Sequence, residues 1–185
     1  MKFRLAQPKL DVLDDLQGVC LVLTSFEEDR PLRGLSGLVD WRLNGQLSRL
    51  ILGGFVDAHY LEATLAPIVG RLPFGQLVLV GLGRRSEFTA QRFEETCRFC
   101  FKAMQGLGVH EVAMMLPGRV GIDVGLRQAL AGWRRAILEA FAPEELQRVT
   151  ITLLEPTDVQ RELVEPLRLL ERDCADVVAG RPIRV

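Results

Sequence analysis

Cys97-Arg98-Phe99-Cys100 has the C-x-x-C spacing used for metal binding and for dithiol redox chemistry. A zinc site takes four ligands, commonly two such pairs or one pair with histidines. The chain has no second pair, and His59 and His110 stand at spacings unrelated to it. A redox pair sits at a helix start, where the dipole lowers the thiol pKa. This pair falls in mid-helix on an apolar stripe, so core packing is the leading reading, with metal or redox use as the alternatives.

Gly81-Leu82-Gly83-Arg84-Arg85 follows an apolar, strand-like run and precedes a helical pattern. Free amides at such a turn can bind phosphate, and two arginines add charge. Ser86 occupies the place of the third glycine of G-x-G-x-x-G, and a tight strand-to-helix turn explains the glycines equally well. Gly118-Arg119-Val120-Gly121, with Gly125 beyond, is a second glycine-bearing loop after a strand-like run. The ligand-binding candidates are therefore Gly81, Gly83, Arg84, Arg85, Gly118 and Gly121. His59 and His110 lie near no Ser or Cys nucleophile pattern, and Trp41, Trp133 and Tyr60 read as core or interface packing. No catalytic residue, metal ligand or cofactor is assigned.

Alternating strand and helix patterns must position these groups. Strands are expected at Lys2 to Ala6, Gly18 to Thr24, Gln76 to Val80 and His110 to Leu116. Two further strands alternate: Tyr60 to Ala66, with Leu61, Ala63 and Leu65 on one face, and Arg148 to Leu154, with Val149, Ile151 and Leu153 on one side. Phe26 to Gly34 is a charged loop broken by Pro31. One helix is expected from Ser36 to Leu52, where Gly45 costs about 1 kcal/mol. The clearest helix, Thr89 to Leu107, aligns Phe93, Cys97, Cys100, Met104 and Leu107, with Glu94 and Arg98 paired on its other side. Asp123 is placed as the cap of a helix to about Phe141, with Leu126, Leu130, Trp133, Ile137 and Phe141 inward. Thr157 and Gln160 form a capping-box pattern for a last helix, which Pro166 should kink or split. The sum is one α/β domain over 1–185, three-layered α/β/α with a mostly parallel or mixed central sheet.

The 185 residues carry 23 basic and 24 acidic side chains, a net charge of −1, which gives no support to nucleic-acid binding. No apolar run approaches the ~20 residues that span a membrane, and the start MKFRLAQPKLDVLDDL does not read as a signal peptide. A cytoplasmic setting with reduced thiols is the expectation.

The run RPLRGLSGLVDWRLNGQLSRLILGGF from Arg30 to Phe55, then GQLVLVGLGRRSEF from Gly75 to Phe88, resembles the amino-terminal domain of the leucyl aminopeptidases. The matching residues are Pro31, Leu32, Gly34, Asp40 and Gly45, then Leu79 to Gly83, and the resemblance covers about residues 2 to 175. It implies a macrodomain-like fold that is not catalytic, with residues 171–185 at the start of the connection to a catalytic domain. The Asn-Thr-Asp-Ala-Glu-Gly-Arg-Leu stretch of that catalytic domain does not occur in the sequence. The acidic runs Asp14-Asp15, Glu27-Glu28-Asp29, Glu94-Glu95 and Glu144-Glu145 read as solvated charge.

The expectation is therefore a non-enzymatic interaction, assembly or regulatory protein that self-associates or binds a protein partner such as a peptidase. Glu27 to Arg33 and Arg134-Arg135 are its candidate contact points. The alternative is a module binding a nucleotide or phosphate compound, because a macrodomain-like fold could turn both glycine loops toward one crevice at the carboxyl ends of the strands.

Overall fold

The computed structural model describes residues 1–16, 20–66, 68, 72–118 and 125–182. Strands β1 (Lys2–Ala6), β2 (Cys20–Ser25), β3 (Ala63–Ala66), β4 (Gln76–Gly81), β5 (Glu111–Met114) and β6 (Thr150–Leu154) form one sheet in the order β1-β6-β5-β2-β4-β3. All neighbouring pairs are parallel except β3, which runs antiparallel to β4 at the edge.

Apolar residues on both faces of the inner strands make a three-layer fold necessary. In β2, Cys20 and Val22 join one core while Leu21 and Leu23 join the other. Val78 and Val80 of β4 likewise separate from Leu77 and Leu79. Helices α4 (Ala90–Gly106), α5 (Leu126–Ala140) and α7 (Thr157–Val178) cover the first face. Helices α1 (Leu10–Asp15), α2 (Gly34–Arg42) and α3 (Gln46–Leu52) cover the second, and the short α6 (Pro143–Leu146) leads into β6.

Several elements differ from the sequence expectation. The stretch from Ser36 to Leu52 is two helices, α2 and α3. The chain turns between them through Asn44 (φ 58°) and Gly45 (φ 75°), in the left-handed region that favours Asn and Gly. Strand β3 covers Ala63–Ala66 and turns Thr64 and Ala66 inward, with Ala66 beside Leu77, whereas Ala63 and Leu65 of the expected inward face are exposed, Leu65 by 55%. In β6 both sets of side chains are buried, since the strand lies inside the sheet.

Helix α7 begins after Pro156 rather than with a capping box. The Thr157 hydroxyl accepts from Gln7 Nε2 at 2.6 Å, and Gln160 Nε2 donates to the Glu155 carbonyl at 2.6 Å. The helix runs unsplit through Pro166. Val159, Leu163, Leu167, Leu170 and Cys174 pack it against the sheet, which outweighs the roughly 3 kcal/mol a buried helical proline costs. Asp123 lies outside the described residues. Helix α5 starts after Gly125, burying Trp133 and Ile137 fully and Leu126 and Leu130 in part.

Candidate functional site

The carboxyl ends of β2, β4 and β5 open on a cavity of about 290 Å³. Its walls are mainly apolar and include Leu23, Phe26, Leu35 and Leu116; its polar groups are Thr24, Asp29, Arg33, Ser36 and Arg85. Helix α2 points its first turn here, with Arg33 at the N-cap position supplying no side-chain cap. The turn after β4 and Gly118 both lie at this end of the sheet. Gly118 lines the cavity, and a Cβ on it would fall 2.8 Å from the Phe88 ring and 3.2 Å from Leu82.

The proposed phosphate cradle is largely engaged by the chain itself. Gly81 N–H donates to the Glu62 carbonyl, Leu82 N–H to Ser25 and Gly83 N–H to Ala58, at 2.8, 2.9 and 3.1 Å. Residues 57–62 close over this turn with Ala58 and Leu61 at positive φ. A Cβ on Gly81 would lie 2.1 Å from the His59 carbonyl oxygen, so the close approach requires glycine.

Arg85 turns back onto the loop after β2. Its guanidinium bonds Asp29 at 2.8 Å and stacks 4.1 Å from the Phe26 ring centre, and its N–H donates to the Glu28 carboxylate. The backbone N–H groups of Glu28 and Arg85 hold the Glu28 carboxyl below its usual range. Arg84 is exposed, 3.6 Å from Glu27. Of the six sequence candidates, Arg85 and Gly118 line the cavity; Gly81, Gly83 and Arg84 stand outside its lining, and Gly121 lies outside the described residues.

The sequence reading did not pair Arg85 with Glu28 and Asp29. The charge pattern held the signal, because acids follow β2 and arginines follow β4, and these two strands are neighbours in the sheet.

Cys97 and Cys100 are buried in the core, and burial pushes the Cys100 thiol up to about 12 and Cys97 well above its ordinary value. Such thiols stay protonated at neutral pH and act as apolar packing groups. Among the described residues, no three His, Cys, Asp or Glu side chains come together to hold a metal ion.

Asp40 has a structural task. Its Oδ1 accepts from the N–H groups of Leu47 and Ser48 at 2.8 and 3.1 Å, which caps α3. Trp133 is fully buried beside Phe3 and Phe101, whereas Trp41 is 71% exposed. His59 Nδ1 meets Glu27 at 3.1 Å, and His110 Nδ1 meets the Gly108 carbonyl. Arg134 bonds Asp173 at 2.7 Å, and Arg135 pairs with Glu94, which also takes Arg98. No described helix is long and apolar enough to cross a membrane.

Comparison with known proteins agrees with this architecture. The "Probable cytosol aminopeptidase" of Geobacter sulfurreducens is 29% identical over 102 residues, which are 55% of this chain and 21% of that protein. The chain thus spans about a fifth of that relative's length. A mutant of tomato leucine aminopeptidase superposes with a TM-score of 0.64 over 98% of this chain and 37% of its own, at 17% identity. The macrodomain of Mycobacterium tuberculosis DarG gives 0.60 over 83% of this chain and 98% of its own, at 12% identity, a likeness of fold. Residues 22–141, well over half of the chain, match the N-terminal domain of the cytosol aminopeptidase family, and the chain belongs to that family.

Proposed function

We propose that this region is a non-catalytic interaction module, which binds and positions or restrains a protein carrying an aminopeptidase catalytic domain. The observation that carries the reading is the internal engagement of its candidate chemical groups. The turn amides, Arg85 and both C-x-x-C thiols all serve the fold, while large apolar side chains remain at the surface. Trp41, Leu52 and Phe55, from α2, α3 and the turn beyond, are 71%, 84% and 76% exposed. Trp and Phe are among the residues enriched in protein interfaces.

The test is to purify the tagged 185-residue chain from its own host and identify what accompanies it. The expected result is a stoichiometric partner with an aminopeptidase catalytic domain whose turnover changes when the chain is added. Leucine-amide hydrolysis by the purified chain alone, with zinc or manganese supplied, would overturn the reading.

The cavity beyond β2, β4 and β5 favours a second reading, binding of a nucleotide or phosphate compound, because Arg33 and Arg85 both face it. Glycine replacement is a poor test. Gly83 has φ +70° and a Cβ there would meet Tyr60 at 3.0 Å, so the variant is strained with or without a ligand. Arg33 is exposed at the cavity, and Arg33→Glu reverses its charge without disturbing buried packing. Thermal stabilisation by millimolar nucleotides that this variant loses would support the second reading; no stabilisation of the wild type would dismiss it.

A further inference from the structure

We infer that the cavity at the carboxyl ends of β2, β4 and β5 takes a small monocarboxylate with an apolar body and no cationic group. The inference rests on the second reading, that this cavity holds a ligand, and names a different chemical class for it.

Most of the polar lining is already engaged within the chain. Ser36 Oγ donates to the Thr24 carbonyl at 2.8 Å. Asp29 Oδ2 accepts from the Phe26 N–H at 3.1 Å, and its Oδ1 accepts from the Arg85 guanidinium at 2.8 Å. That guanidinium lies over the Phe26 ring, which meets Phe88 edge-on at 5.2 Å between ring centres. Asp29, Arg85 and Phe26 thus hold one another in a wall that is formed before any ligand arrives.

The remaining charge selects the ligand. Arg85 and Asp29 offset each other, whereas Arg33 is exposed at the cavity and makes no ion pair among the described residues. The site therefore carries one uncompensated positive charge beside the apolar surface of Leu23, Leu35 and Leu116. A phosphate monoester brings about two negative charges at neutral pH, one more than Arg33 answers. A carboxylate brings one, and its planar pair of oxygens matches the arginine fork. An α-amino acid fits less well, because Asp29, the carboxylate that would take its ammonium group, is held by Arg85 and the Phe26 N–H.

The volume agrees with this charge count. The cavity, at about 290 Å³, lies at the bottom of the roughly 300–1,000 Å³ range of small-molecule pockets. It suits one ring or a short chain better than a base joined to a sugar and a phosphate.

Methyl-resolved NMR of the full 185-residue chain, labelled at leucine and methionine, tests this. The probes are hydrocinnamate, its neutral amide, phenylalanine and AMP. Hydrocinnamate should shift the methyls of Leu35, Met115 and Leu116 saturably, with a Kd of about 1 mM or tighter. The amide and phenylalanine should each bind about fivefold more weakly, and AMP more weakly than hydrocinnamate. Arg33→Gln should cost hydrocinnamate about fivefold and remove its advantage over the amide, while Arg33→Lys keeps most of that advantage. Arg33 is exposed, so the ligand-free spectra of both variants should match wild type.

No shift of these methyls at about 10 mM hydrocinnamate overturns the inference. So does equal binding of the amide or of phenylalanine. AMP that binds more tightly than hydrocinnamate at the same methyls removes this inference and leaves the second reading standing as a nucleotide site. Hydrocinnamate that binds where AMP does not upholds the inference and dismisses the nucleotide.

Discussion

Replacing Asp40 with alanine should destabilise the fold by about 3 kcal/mol. Asp40 is 8% exposed and caps α3 through Leu47 N–H, Ser48 N–H and the Ser48 hydroxyl. Loss of an N-terminal cap costs about 1 kcal/mol. Here the Leu47 N–H is buried and would lose its acceptor, which takes the same loss toward the upper end of the about 1–3 kcal/mol cost of an unsatisfied buried donor. In a chain of this length each kcal/mol lowers the melting temperature by about 2–4 °C, so the expected drop is about 6–12 °C.

Asp40→Asn keeps one carboxamide oxygen for the two backbone donors, and its cost should be about 1 kcal/mol. Differential scanning calorimetry of the three proteins reads the series directly. An alanine variant melting within about 2 °C of wild type would refute the assignment of Asp40 as the cap that closes the α2–α3 turn.

Two further outcomes follow from the titrating groups. Cys97 and Cys100 should resist iodoacetamide in the folded protein at pH 8 and react fully in denaturant, because burial holds both thiols protonated; mass spectrometry of the labelled chain decides it. The pKa of His59 is raised above 6.5, chiefly by its hydrogen bond to Glu27. A folded-state pKa above the unfolded one stabilises the protein below the unfolded pKa, and this is lost as pH rises through the folded value. His59→Gln should therefore lower the melting temperature near pH 5.5 and leave it unchanged near pH 8. A difference that persists or grows at the higher pH would contradict the ion pair.

The sequence by itself determined the alternation of strands and helices, because periodicity and β-rich apolar runs act locally. The helix with Phe93, Cys97, Cys100 and Met104 on one stripe was legible for that reason, as was the burial of the C-x-x-C pair along it. The resemblance carried by Pro31, Asp40, Gly45 and Leu79 to Gly83 led to the family. Where elements were misjudged, a longer-range effect prevailed. Asp40 reaches seven residues ahead to cap a new helix that starts after Gly45, and the antiparallel register on β4 set Ala66 of β3 inward beside Leu77 and Leu65 outward.

Only the tertiary structure decided the state of the candidate sites. Strand order places the loop after β2 beside the turn after β4, so Glu28 and Asp29 take Arg85, and residues 57–62 and Ser25 accept from the amides that a phosphate would need. The same order brings Arg33 at the N-cap of α2, Arg85 after β4 and Gly118 after β5 to one cavity. Residues so separated in the chain meet through the sheet that carries their loops, and no local pattern in the sequence encodes that meeting.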